Sequence, residues 1–245
     1  MMSGIELHPD FGFGITGDSY FKSAEHLRNN HHEHYDVTQQ REMPENFLLR
    51  HSIELYLKSL IVIFHKKLEI NYDQDSFESE KPKIFTGGTW RPLYTCHWID
   101  ELYDYWLNQL LLPNKEKLEK LAPKGDWQEA EEISNLFPII CQYDRDSSFF
   151  RYPVTKDTSL DKHKFTMKRF NADTLTKFME EIQSDDKKRK IGKTVFVKVD
   201  ENDKITDAFQ EDEKVLEDVS DALYQVANYF HCIHIMTRVT LCGGM

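Results

Sequence analysis

The chain has 245 residues, 40% hydrophobic and 13% aromatic, with ten glycines and eight prolines, so it has a core to bury and is neither low-complexity nor disordered in composition. Lysine and arginine number 31 against 42 aspartates and glutamates, a net charge of −11, which excludes a broad duplex-DNA interface unless the basic residues are gathered locally. Four widely spaced cysteines, Cys96, Cys141, Cys232 and Cys242, form no CxxC pair, as expected of free thiols in a reducing, cytoplasmic setting rather than of disulfides or zinc. The start, MMSGIELHPDFG, lacks a basic region followed by an apolar run. The longest apolar run, Leu55 to Phe64, is broken by Lys58 and is shorter than the ~18 residues of a membrane helix.

In chain order, the first predicted helix is Tyr20 to Leu27, capped by Asp18 or Ser19, with apolar positions 20, 21, 24 and 27 on one face. A polar loop follows. Pro44 suits the first turn of a second helix, Asn46 to Lys66, whose apolar residues occupy almost the whole circumference. Arg50, His51, Glu54, Lys58 and His65 fall in an arc of roughly 100° on that rod, a polar stripe that must face water, a partner or a site. Residues 72–92, with Gly87-Gly88, read as a long loop. A third helix begins near His97, its core stripe running through Trp98, Ile99, Leu102, Tyr105, Trp106 and Leu110. A fourth runs from Asp126 to Ile140, kinked or ended by Pro138. In the charged segment that follows, Asn171 to Ile182 reads as a short helix, Lys187 to Lys190 as part of a solvated loop, and Thr194 to Phe209 as a β-hairpin. Val215 to Arg238 closes the chain with a bundle-type seam. The expected fold is mainly α: a helical-bundle core (1–154), a small α/β, hairpin-containing insertion (155–213), and a final bundle helix packed on the core (214–245).

The stretch LLRHSIELYLKSLIVIFHK, preceded by SYFKSAEHL and followed by CHWIDELYDYW and then DRDSSFFRYP, resembles the HEPN superfamily of helical-bundle proteins. The resemblance covers about two-thirds of the chain and rests on pattern rather than on one diagnostic string. It implies a bundle that commonly dimerises, in a family rich in metal-independent endoribonucleases of prokaryotic defence, toxin–antitoxin and stress systems. Their signature is an Arg followed after four to six residues by a His. Arg145 and Arg151 lie in the corresponding region, but neither has a His within six residues downstream; Arg28 with His34 and Arg91 with His97 satisfy the count, the first in a polar loop, the second across Pro92.

Metal-independent RNA cleavage needs a base, an acid and a cation for the phosphorane charge. Arg50, His51, Glu54 and Lys58 share one helix face, so a polar pocket built from them and completed by Arg151 or Arg145 is the candidate site, with Arg50, Lys58 and Arg151 as RNA contacts and Asp144 orienting an arginine. The contrasting reading is a non-catalytic dimerisation or docking module of a larger assembly. It makes Glu54 and Lys58 an ordinary helix ion pair and predicts a stripe buried in ion pairs, whereas the nuclease reading predicts a positive cleft. No metal or other cofactor is expected. His26, His31, His32 and His34 match no zinc module, and His231 and His234 border the last helix's seam. GFGITG at residues 12–17 has the GxGxxG form, but a dinucleotide site needs a preceding strand and a βαβ unit, which the sequence does not offer.

Overall fold

The apolar circumference of the second helix makes it the axle of the protein. The computed structural model describes residues 10–30, 42–165, 167–169, 176, 195–202, 205–211 and 216–244. Helix α1 (Phe13–Asn29) and helix α2 (Glu42–Leu68) pack side by side. In α2, Leu49, Ile53, Tyr56, Leu57 and the unbroken run Leu60 to Phe64 are inaccessible to solvent, because neighbours cover the helix on every side. Pro44 sits in its first turn, as the fixed φ of proline favours.

Helix α1 is longer than the periodicity suggested and is not capped at Asp18 or Ser19. The buried Asp10 caps it, accepting from the backbone N–H of Gly12 (3.1 Å) and Gly14 (2.8 Å). The same carboxylate accepts from Ser59 Oγ of α2 (2.5 Å) and lies 3.7 Å from His234 and 3.5 Å from Arg238. Burial works against its ionisation, but His234, Ser59 and the two backbone N–H groups hold it well below the usual carboxylate range. Of the glycines of GFGITG, Gly12 supplies a left-handed backbone at φ 83°, while Gly14 and Gly17 are close-packing residues. A Cβ at Gly14 would overlap the His234 ring and stand 2.6 Å from Asp10 Oδ2. Gly14→Ala is therefore expected to cost about 1–3 kcal/mol of stability. A denaturant-melt cycle with His234→Ala checks this: the double variant should lose less than the sum of the single losses, and strict additivity would rule out the clash.

Residues 72–92 are not simply a loop. They contain an antiparallel hairpin, β1 (Lys83–Thr86) and β2 (Thr89–Pro92), turning on Gly87 and Gly88, both at positive φ. That backbone is what a tight hairpin turn demands, so the glycine pair joins two strands where a breaker was expected. Helix α3 (Ile99–Asp104) continues as a π-helical stretch through Leu111 and buries Ile99, Leu102, Tyr105, Trp106 and Leu110, while Trp98 stays outside at 36% exposure. Helix α4 (Lys115–Leu121) follows. The single helix expected over 126–140 is instead a helical turn at Glu131–Ser134 and helix α5 (Phe137–Asp144). Pro138 falls in the first turn of α5, where its missing N–H costs nothing, and so starts a helix rather than ending one.

In the insertion, β4 (Val195–Val199) and β5 (Ile205–Glu211) form the expected antiparallel hairpin, to which β3 (Met167–Arg169) adds a third strand in the order β3-β5-β4. The helix expected at Asn171–Ile182 (Thr176 apart) and the basic run Lys187–Lys190 lie outside the described residues. Helix α6 (Glu217–Leu241) buries Val219, Leu223, Val226 and Phe230 against α2 and α5. Arg28 of α1 pairs with Glu45 of α2 (2.9 Å) and Asp221 of α6 (2.8 Å), tying three helices together. The fold is mainly helical with two small sheets. No helix among the described residues is long and apolar enough to cross a membrane.

Candidate functional site

The polar stripe of α2 faces inward. Arg50, Glu54 and Lys58 follow one another at i, i+4 and are 0%, 1% and 3% exposed. Glu54 accepts from Arg50 Nη1 (2.9 Å), Lys58 Nζ (2.7 Å) and His97 Nδ1 (3.0 Å). Arg50 also donates from Nε to the Asp144 carbonyl (3.2 Å) and from Nη2 to the carbonyls of Arg145 (3.1 Å) and His97. One guanidinium thereby ties α2 to the C-terminal end of α5 and to the approach to α3. Burial alone would raise the Glu54 pKa, but Lys58 and Arg50 outweigh it and bring it down to about 2. Glu54 is ionised throughout the neutral range.

Of the residues expected to complete a pocket, only some meet. Asp144 does not orient an arginine through its carboxylate: Arg50 takes its backbone carbonyl, while Oδ1 accepts from the Phe149 N–H (2.8 Å). Arg145 is turned to the surface, pairing with Asp100 (2.7 Å) and more loosely with Glu101 (3.5 Å). His51 leaves the stripe, because one residue beyond Arg50 is a rotation of about 100°. It sits half-buried between Tyr20 (4.8 Å between ring centroids, edge-on) and Phe47 (5.8 Å, stacked). Arg151 is exposed, its guanidinium 5.9 Å from the Phe47 ring and 6.0 Å from that of Tyr152. Burial lowers the His51 pKa, with Arg50, Lys58 and Arg151 acting in the same direction against Glu54. His51 and Arg151 are thus neighbours across Phe47, set apart from the buried trio. His65 lies in the core, donating from Nδ1 to the Ile70 carbonyl (2.7 Å) and accepting at Nε2 from Tyr105 (3.0 Å).

Sequence reasoning passed over His97. Its side chain is 54% exposed yet touches the buried Glu54. With the ionised carboxylate accepting, Nδ1 carries a proton, and Nε2 is the ring nitrogen that Glu54 does not engage. Beside it, the Trp98 ring lies 4.7 Å from the Arg91 guanidinium and 5.4 Å from that of Arg145. Arg91 pairs with Glu101, which also accepts from Thr86. The Arg91-x5-His97 spacing is the signal the sequence offers for it, although the pair spans Pro92. A cavity of about 430 Å³ opens nearby, between the β1–β2 turn and α3, lined by Phe85, Thr86, Asp100, Glu101 and Asp104. Its lining is acidic, the reverse of the positive cleft expected for RNA.

His26 lies in the last turn of α1 beside Asn30, while His31, His32 and His34 are outside the described residues. His231 stacks on Phe21 and lies within 2.9 Å of the Tyr56 hydroxyl and 3.1 Å of Asp18, joining α1, α2 and α6. Among the described residues, no three His, Cys, Asp or Glu side chains are grouped as metal ligands. No protein-family model, curated protein or solved structure matches the chain.

Proposed function

We propose that this chain is a HEPN-like, non-catalytic helical dimerisation or docking module of a larger assembly, and that its α2 stripe is a structural ion-pair cluster rather than a nuclease centre. The observation that carries this reading is the internal engagement of the stripe: Glu54 binds three cationic or imidazole donors, and Arg50 also donates to three backbone carbonyls. Arg50, Glu54 and Lys58 are closed off from solvent at 0%, 1% and 3% exposure, and a carboxylate held at about pKa 2 is a poor general acid or base at neutral pH. The Glu54–His97 bond also joins the two segments that carry the HEPN resemblance, the α2 motif and the His-x-Ile-x-x-Leu start of α3. Arg91 and Arg145 are already neutralised by carboxylates.

One observation favours a second reading, an RNA-directed enzyme centred elsewhere. His97 is exposed, its Nδ1 is engaged by a buried carboxylate, and two arginines and a tryptophan stand beside it. In that reading His97 is the general base, with a cation and a stacking surface at hand. Purified protein incubated in EDTA with mixed tRNA and single-stranded RNA separates the two. No cleavage is expected from the wild type or from His97→Ala, His51→Ala and Arg151→Ala. Cleavage lost only in His97→Ala would establish the second reading, and cleavage lost in His51→Ala and Arg151→Ala would restore the site first expected from sequence.

A further inference from the structure

Arg151 is unlike every other described arginine. Arg28, Arg50, Arg91, Arg145, Arg169 and Arg238 each face a carboxylate within 3.5 Å or closer. Among the described residues Arg151 faces none, and its guanidinium lies beside the rings of Phe47 and Tyr152. In a chain with an excess of eleven acidic over basic residues, an exposed arginine with no described carboxylate beside it is a cation available to an external anion.

The segment that carries it is fixed at both ends by buried cations. Arg50 holds the carbonyls of Asp144 and Arg145, and Lys164, itself 1% exposed, donates to the Tyr152 carbonyl (2.8 Å) and to Asp161 (2.6 Å). Between them, Phe149 and Phe150 are buried at 1% and 4%. Immediately beyond, Tyr152 and Val154 stand out at 51% and 67% exposure. A backbone anchored at both ends has little entropy of its own to lose on binding, and Arg and Tyr are the residue types that dominate interface energetics.

We infer that Arg151, Phe47, Tyr152 and Val154 form the docking surface for a protein segment bearing one carboxylate next to an apolar side chain. Charge complementarity selects this occupant. A single guanidinium framed by aromatic and aliphatic groups matches one carboxylate with an apolar neighbour, whereas an RNA backbone requires several cations along its track. The carboxylate would take the guanidinium in a forked pair, and the apolar neighbour would cover Tyr152 or Val154. The inference rests on the docking reading and names the partner's chemistry.

The test pans the full-length chain against a random peptide library and measures affinities of the selected peptides. Enriched peptides should carry Asp or Glu beside an apolar residue and lose affinity at least about tenfold for Arg151→Ala, with partial recovery in Arg151→Lys and no loss for Arg145→Ala. No enrichment, enrichment without an acid, or indifference to Arg151 overturns the inference. Steeply salt-dependent binding of single-stranded RNA through Arg151 would overturn it in favour of a polyanion, and self-association abolished by Arg151→Ala in favour of a second copy. RNA cleavage would instead sink the docking reading itself, so the two failures are distinguishable.

Discussion

Replacing Glu54 with alanine is expected to lower the unfolding free energy by about 3–5 kcal/mol, because it leaves two cations buried without a counter-charge. Arg50 and Lys58 are 0% and 3% exposed, and among the described residues Glu54 is the only carboxylate hydrogen-bonded to either. Arg50 would keep its three carbonyls, so the native connection between α2 and α5 would persist under strain. Glu54→Gln preserves shape without charge and should fall in the same direction with a smaller loss. Arg145→Ala is the internal comparison: it breaks an ion pair whose arginine is 51% exposed and should change stability by no more than about 1 kcal/mol. Denaturant midpoints at unchanged m-value give the comparison directly. A Glu54→Ala loss as small as that of Arg145→Ala would show that the cluster is hydrated in solution and would reopen it as a site.

Acid should destabilise the protein in two steps, the first set largely by His65. Burial of this ring, only partly offset by its bond to the Ile70 carbonyl, lowers its pKa to about 4. The unfolded side chain titrates near 6.5. Between these values the unfolded chain binds the extra proton, so stability rises with pH across the window. The contribution is complete above about pH 6.5 and is lost as pH falls through about 4, amounting to about 3 kcal/mol. His51 and His231 are shifted the same way by burial and add to the slope. Glu54 and Asp10, both lowered, supply the second step. Their stabilisation is present above the unfolded carboxylate values and fades as pH drops towards 2. Melting temperature against pH, for the wild type and His65→Asn, is the measurement. The variant should be less stable at neutral pH but clearly flatter between pH 6.5 and 4; parallel curves would remove His65 as the cause.

The fold class was readable from local pattern because helix formation and burial leave a period in the sequence. The all-round apolar composition of α2 requires a central helix, the three-and-four spacing of α6 a seam, and the alternation around 194–209 a hairpin. Boundaries failed where a residue has two uses. Gly87-Gly88 serves as breaker or hairpin turn, Pro138 as helix end or helix start, and Gly14 as flexible linker or close-packing residue. Local sequence holds no term for the choice, since it depends on what lies opposite: a second strand, or the His234 ring.

The site divided along the same line. That Arg50, Glu54 and Lys58 share a helix face followed from a rotation of 100° per residue. Whether that face met water or protein did not, and this decided between a pocket and a buried cluster. Glu54 meets His97 across 43 positions of chain, and Arg50 meets the carbonyls of Asp144 and Arg145 across 94 and 95. These pairings arise only when α3 and α5 close over α2, and with them burial converts a solvated stripe into an ion-pair cluster with a strongly lowered carboxylate. The sequence by itself determined which residues are charged and which helix carries them. Tertiary packing alone decided that, among the described residues, six arginines find carboxylates and Arg151 does not, because long-range desolvation and pairing depend on distances in space, not along the chain.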